Sequence, residues 1–486
     1  MKINNRKTYA LAMSMLVLTA SASCGSSVGQ AGGSSSETVQ QMESQSEETA
    51  AASVDTTQAT EEITEGTTSK AESAALKGNI YDVKGRLLVS GKEGERVFSD
   101  DNDTSIAFAN ILTTMSDGYD RTFSDILTSP GPSGDVGRSI QLTIDADVQK
   151  AVYQYMMNNN IQGSVVAMRS DGSLLAQVSF PSYEPYAVSL PQEYDEELAW
   201  GKVGNKAFQN FEPGSCFKIM SEVIADKHGF YSCYDEGEWE FDGTSIVNWD
   251  HDTGSYPVAE RTLQSAFVNS SNIFFAKAFD SIGSEAVLSD LDSIFHFVTP
   301  IDCDFGQIKN NVEIYCDDDL RRTAFGQSYV LTCPLYLAAL GREAVLGDMV
   351  EPFVLKNVVD TDDPFAVIEQ GTQPGQVLAS IPQEYRQNLL DGMRGVAGGL
   401  GVYVPQGYTL YAKTGTAETW ENDFLYITGC VKRDTDDGTG SYGDYSDYDG
   451  SYVIVMQVRN PEYHGFEFAS HSAGLYQGVV NAVMGN

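Results

Sequence analysis

Three short patterns, each occurring once between residues 215 and 415, limit what this chain can fold into. They are Ser-x-x-Lys at Ser215 and Lys218, Ser-x-Asn at Ser270 and Asn272, and Lys-Thr-Gly at Lys413, Thr414 and Gly415. At this composition either serine pattern arises by chance about once or twice, and Lys-Thr-Gly in roughly one chain in ten. The ordered trio is far more specific. If the three act together, remote segments must meet, and the strand-like runs early and late in the chain are expected to share one sheet.

The residue types suit acyl transfer. A serine hydroxyl is a poor nucleophile and must give its proton to a base as it attacks a carbonyl. On a helix, positions i and i+3 share a face, so Lys218 can reach Ser215. An ammonium accepts no proton, so Lys218 needs the lowered pKa that burial and a second cation, Lys413, would provide. Pro213 and Gly214 fit a helix beginning at Ser215, whose backbone N–H is a candidate oxyanion donor. Taken singly, Ser215 reads as a helix cap, Ser270 and Asn272 as polar helix residues and Lys413 as an edge-strand lysine. The trio favours the chemical reading.

Around these motifs the text changes character several times. Residues 1–24 carry Lys2, Arg6 and Lys7, then an apolar run ending in small residues before Cys24, as in a bacterial lipoprotein signal or a membrane anchor. Residues 25–75 are Ser/Thr/Glu-rich with few large apolar residues, and read as a disordered acidic tether. A small N-terminal module is expected over 76–137, opening with a hairpin around "DVKG". One large domain should follow over 138–486. There "GSVVAMRS" and "SLLAQVSF" read as strands, as do 409–414, 424–431 and 451–458. Helical periodicity covers 215–229, 261–281, 284–296, 332–348, 383–397 and 470–484.

A net charge of −38 argues against nucleic acid or an anionic membrane surface as a partner, and leaves the N-terminal anchor as the only membrane contact. With Cys24 set aside as a lipid site, six cysteines remain, an even number compatible with disulfides or with small core residues. There is no CxxC and no HxxxH, so neither metal nor cofactor is expected. The Asp/Gly/Tyr-rich stretch 434–451 reads as a solvated hairpin loop in preference to a calcium loop, and "NWDHDTG" around His251 as a surface loop. The G-x-S-x-G at 25–29 falls in the tether and is set aside.

The blocks "GNIYDVKGRLLV", "IQLTIDADVQKAV", "NKAFQNFEPGSCFK", "TLQSAFVNSSNIFF", "FGQSYVLTCPLYLAAL" and "YAKTGTAE" resemble successive segments of class B penicillin-binding proteins. The resemblance implies an α/β (α+β) fold of the penicillin-binding and β-lactamase type, an antiparallel five-stranded sheet flanked by helices. It implies a peptidoglycan D,D-transpeptidase acting through a serine acyl-enzyme and acylated by β-lactams. Ser215 would be the nucleophile, Lys218 its base and Ser270 a proton relay. Asn272 would bind substrate backbone. Lys413, Thr414 and Thr416 would hold the terminal carboxylate, Gly415 would leave room beside the substrate, and the Thr416 N–H would be the second oxyanion donor. Implied partners are stem peptides ending in D-Ala-D-Ala, β-lactams and a glycan-polymerising membrane protein, at the outer face of a bacterial cytoplasmic membrane. A D,D-carboxypeptidase or β-lactamase would share all three motifs, and a non-catalytic peptidoglycan or penicillin sensor would share the fold. Cys216, directly after the nucleophile, departs from the family pattern.

Overall fold

The hairpin expected around "DVKG" is present: β1 (Ile80–Tyr81) pairs antiparallel with β2 (Leu87–Ser90). The computed structural model describes residues 76–91, 96–113, 118–132, 134–185, 204–251, 258–373, 375–418, 423–438, 445 and 448–485. The signal-like segment, Cys24, the tether and the G-x-S-x-G lie outside the described residues. Among the described residues no helix is long and apolar enough to cross a membrane.

The sheet that holds the hairpin crosses the expected 137/138 boundary. Its order is Val367–Gln370, Leu355–Val359, β3 (Ser139–Leu142), β1, β2, Val97–Phe98, with β1 parallel to β3 through Ile80 opposite Ile140. Through β1 the hairpin therefore joins a strand of the large domain, and Ser73–Asn486 forms one compact unit. Periodicity shows which face of a strand is buried and leaves its neighbour unspecified.

The second sheet is the expected five-stranded one. Helix α1 (Ala146–Asn158), capped by the Asp145 carboxylate accepting from the Asp147 N–H, precedes β4 (Gly163–Arg169) and β5 (Leu174–Phe180). The late strands β6 (Tyr408–Glu418), β7 (Asp423–Arg433) and β8 (Tyr452–Arg459) complete the order β6-β7-β8-β4-β5, all antiparallel. Every residue of β4 is buried, as a strand covered on both faces requires.

Two small residues show how the covers fit. A Cβ on Gly341, in the helix Pro334–Leu346, would lie 2.9 Å from Val453 and 3.1 Å from Thr428. A Cβ on Gly429, one residue beyond Thr428, would lie 2.2 Å from the Tyr476 hydroxyl of the helix Ala473–Met484. Neighbouring strand residues face opposite ways, so these two helices cover opposite faces. Glycine lets each approach closely.

One expectation is corrected and a second is met in part. The stretch 434–451 is anchored and not merely solvated: Tyr445 is buried, donates to the Asp171 carboxylate and lies under the Arg169 guanidinium, 4.6 Å from its ring centre. Burial of Arg169 at the end of β4 makes aromatic faces its natural cover, a pairing no local pattern announces. Of the described residues of "NWDHDTG", Trp249 and His251 are exposed as expected of a surface loop, while Asn248 and Asp250 are buried at 2% exposure. The six described cysteines are free thiols, three of them buried, and form no disulfide.

Candidate active site

The helix start expected at the nucleophile is a tight 3-10 turn, Gly214–Phe217, running into the α-helix Lys218–Lys227. Gly214 sits at φ +52, and a Cβ there would lie 2.3 Å from the Thr416 carbonyl oxygen and 3.1 Å from the Thr416 nitrogen. A Cβ on Gly415 would lie 2.4 Å from the Pro213 oxygen. The Ser215 turn and the Lys-Thr-Gly strand thus touch backbone to backbone. Gly326 of "FGQS" backs the turn, its carbonyl accepting from the Gly214 N–H at 3.1 Å.

The helix Leu263–Val268 ends at Asn269. Ser270 takes a left-handed φ of +57 before Ser271 caps the helix Asn272–Ile282 by accepting from the Phe274 N–H. That corner delivers Ser270 and Asn272 to the two lysines. All five sequence-predicted catalytic candidates converge in one cluster.

Both lysines are buried at 0% exposure, while Ser215, Ser270, Asn272, Thr414 and Thr416 are partly exposed. The Lys218 amine lies 2.9 Å from Ser215 Oγ, 2.8 Å from the Ser270 carbonyl, 2.7 Å from Asn272 Oδ1 and 3.2 Å from Ser270 Oγ. The Lys413 amine lies 3.1 Å from the same Ser270 hydroxyl and 3.0 Å from the Thr414 carbonyl. Burial, then the Lys413 charge, push the Lys218 pKa well below its ordinary value, with Asp235 pulling the other way. Burial lowers Lys413 to about 8.

A neutral Lys218 amine has two N–H donors and one lone pair. The Ser270 carbonyl and Asn272 Oδ1 can only accept, and the Asn272 amide is oriented by its own N–H donation to the Val247 carbonyl at 2.9 Å. The two donors are therefore committed, and the lone pair is left for a hydroxyl, Ser215 being the nearer. This arrangement is one that can accept a proton from Ser215. Ser270 then links Lys218 to the cation at Lys413.

Thr416 Oγ1 accepts from the Ala469 N–H at 3.1 Å. Beside Ala469, the Phe468 ring packs edge-on against Trp249, centroids 4.9 Å apart, and the Trp249 indole donates to the Asn269 carbonyl at 3.0 Å. An aromatic contact thus spans from the Ser-x-Asn side to the Lys-Thr-Gly side. Neither residue was singled out from sequence, since each stands alone in its stretch. Cys216 is buried with its pKa raised by burial, its sulfur facing the Lys413 carbonyl and Thr428, which keeps the thiol protonated and inert.

The chain matches the penicillin binding protein transpeptidase domain over residues 163–465. The peptidoglycan D,D-transpeptidase PbpA of Mycolicibacterium smegmatis is 32% identical over 124 residues, 23% of this chain and 25% of that protein. Its namesake in Mycobacterium tuberculosis is 29% identical over 120 residues, 22% of this chain and 24% of that protein. The match spans about a quarter of the length of these curated relatives. Among solved structures, PBPA from M. tuberculosis superposes with a TM-score of 0.67 at 19% identity, over 85% of this chain and 100% of that one. The D,D-transpeptidase domain of a peptidoglycan glycosyltransferase from Eggerthella lenta gives 0.66 at 18%, over 85% and 99%. At these identities the structural likeness is one of fold.

Proposed function

This chain belongs to the penicillin-binding protein transpeptidase family, and on that premise we propose that it is a serine-type peptidoglycan D,D-transpeptidase. The observation that carries the reading is the Ser215 hydroxyl 2.9 Å from a buried amine whose own donors are already committed. Support comes from the M. tuberculosis PBPA fold, also solved as a penicillin G acyl-enzyme complex (TM-score 0.68, 19% identity, 84% of this chain and 100% of that one).

In this reading Ser215 Oγ attacks the penultimate D-alanine carbonyl of a stem peptide as Lys218 takes its proton. The Ser215 and Thr416 N–H groups receive the oxyanion. The C–N bond breaks, the proton passes through Ser270 to the leaving D-alanine, and Oγ stays bonded to the acyl carbon. An amine of a second stem peptide then attacks the ester carbon, its proton passes by way of Lys218 to Ser215 Oγ as the C–O bond breaks, and Ser215 is regenerated. Lys413, Thr414 and Thr416 hold the terminal carboxylate, Asn272 the substrate backbone, and Gly415 leaves the strand edge open. Penicillin is the test substrate: mass spectrometry should place one penicilloyl adduct on Ser215, and an adduct elsewhere rejects the assignment. Turnover of a D-Ala-D-Ala peptide with an added amine acceptor should give aminolysis product, whereas hydrolysis alone would make the enzyme a carboxypeptidase.

The proposal extends to location. A lipid on Cys24 and the 25–75 segment would hold the unit at the outer face of the cytoplasmic membrane, within reach of a glycan-polymerising membrane protein. Acyl-chain labelling that survives Cys24→Ala would remove that part.

A further inference from the structure

A buried polar chain behind the Ser-x-Asn corner has no place in the steps above. Asp235, at 1% exposure, ends the strand Ser232–Asp235, which among the described residues pairs with Ala259–Thr262 in a two-stranded ribbon. Its carboxylate accepts from the Asn248 amide at 2.9 and 3.0 Å, from Ser271 Oγ at 2.6 Å and from the Gly237 N–H at 3.0 Å. Because both Asp235 oxygens face the Asn248 NH2, the other end of that amide is committed. Asn248 Oδ1 accepts from the Asn272 backbone N–H at 2.8 Å. Asn272, donating to the Val247 carbonyl next door, in turn presents Oδ1 to Lys218.

We infer that Asp235 and Asn248 are positioning residues for the proposed acyl transfer: through them one buried carboxylate orients Asn272 against Lys218 and sets a fixed negative charge opposing Lys413. The first role follows from the amide geometry. Were Asn248 to turn over, its NH2 would meet the Asn272 N–H and the support for Asn272 would be lost. The second follows from the demand on a general base, which must be neutral at rest yet basic enough to take a proton in the transition state. Burial and then Lys413 both lower the basicity of Lys218, and the charge at Asp235 offsets part of that lowering.

The charged groups acting on Lys218 are Lys413 from β6 and Asp235 from the ribbon. Arg261 and buried Asp250 stand beside Asp235. On Lys218's own helix, burial pushes the Glu222 carboxyl well up, towards neutrality. The faces of Lys218 not taken by hydrogen bonds meet the Phe275 and Phe325 rings, each 5.9 Å away.

This inference rests on the reading of Ser215 as nucleophile, and the experiment separates the two. The rate of penicillin acylation per labelled molecule is measured against pH for wild type, Asp235→Asn and Asn248→Ala, with Ser215 labelling confirmed in wild type. An unlabelled wild type sinks the functional reading itself. With wild type labelled, Asp235→Asn should move the acid limb of the profile down by about half a pH unit or more, because the charge favouring protonated Lys218 is gone. Asn248→Ala keeps the charge and should leave that limb in place while the plateau rate falls about tenfold or more. An unmoved acid limb in folded Asp235→Asn overturns the electrostatic role. A wild-type plateau in Asn248→Ala overturns the positioning role, and if Asp235→Asn shows no cooperative thermal transition, Asp235→Ser, which removes the charge with a smaller side chain, takes its place in the acid-limb test.

Discussion

Adding one methyl group at Gly214 tests whether the contact between nucleophile turn and strand is what places Ser215. The Cβ of Gly214→Ala would lie 2.3 Å from the Thr416 carbonyl oxygen and 2.7 Å from its carbon. Carbon and carbonyl oxygen rest at roughly 3.3 Å or more, so turn and strand must part by about 1 Å. The left-handed φ of +52 adds about 1–2 kcal/mol for any side chain, and overpacking about 1–3 kcal/mol. Stability should fall by about 2–5 kcal/mol in total. The same displacement moves Ser215 relative to the Thr416 N–H, and an error near 1 Å in a reacting geometry costs about a hundredfold in rate. The assay is stopped-flow acylation by a fluorescent penicillin, normalised to labelled protein, beside thermal unfolding. Gly399→Ala is the control: Gly399 lies exposed in the helix Gln383–Leu400 with nothing within 4 Å of the new Cβ. It should stabilise by about 0.4–1 kcal/mol and leave acylation unchanged. A Gly214→Ala enzyme acylating at the wild-type rate would show that this contact does not position the nucleophile.

Burial lowers the Lys413 pKa to about 8, and the amine must be charged to hold a carboxylate. Acylation should therefore decline with a one-proton slope as pH rises through about 8, and Lys413→Arg should lose that alkaline limb at a lower maximum rate; its persistence would assign the limb to another group. Glu343 is fully buried, its oxygens have no hydrogen bond among the described residues, and burial raises its pKa well above 4.5. Its contribution to stability is greatest below that ordinary value and is lost as pH rises toward the folded pKa. Glu343→Gln should thus raise the melting temperature more at pH 8 than at pH 5, and an equal shift at both would refute this account. Trp249→Ala and Phe468→Ala should be coupled by about 0.5–1.5 kcal/mol in a double-mutant cycle on penicillin acylation; additive effects would mean that the rings act separately.

What could be read from the sequence was what repeats or sits close along the chain. Ser215 and Lys218 are one helical turn apart, and Lys413 to Thr416 occupy four consecutive positions, so spacing alone suggested their chemistry. The strands of the five-stranded sheet announced themselves by unbroken apolar runs such as "GSVVAMR". Asp235 and Asn248 could not be found this way. Each becomes informative only when a ribbon and a loop fold back beneath Ser271, and an aspartate or asparagine in a turn-rich stretch is ordinarily a turn former. The same holds for Trp249 with Phe468 and for Arg169 with Tyr445, whose pairings are made by tertiary packing. The boundary at 137/138 followed the onset of the strand pattern at "RSIQLTID", whereas Ile80 pairs with Ile140 because β3 is the strand available to it.

The strand orders also carry a timetable for synthesis. β4 is complete at residue 169 but gains its second neighbour only with Tyr452–Arg459, and β3 waits for Leu355–Val359. Neither sheet can close until most of the chain has been made. Pairings this distant slow folding, because the entropy of closing long loops is spent before any contact offsets it. Meanwhile an apolar strand such as "GSVVAMR" has one edge open to other chains. A truncation before residue 452 would leave β4 in that condition permanently, and such fragments should collect as aggregates instead of as a smaller folded enzyme.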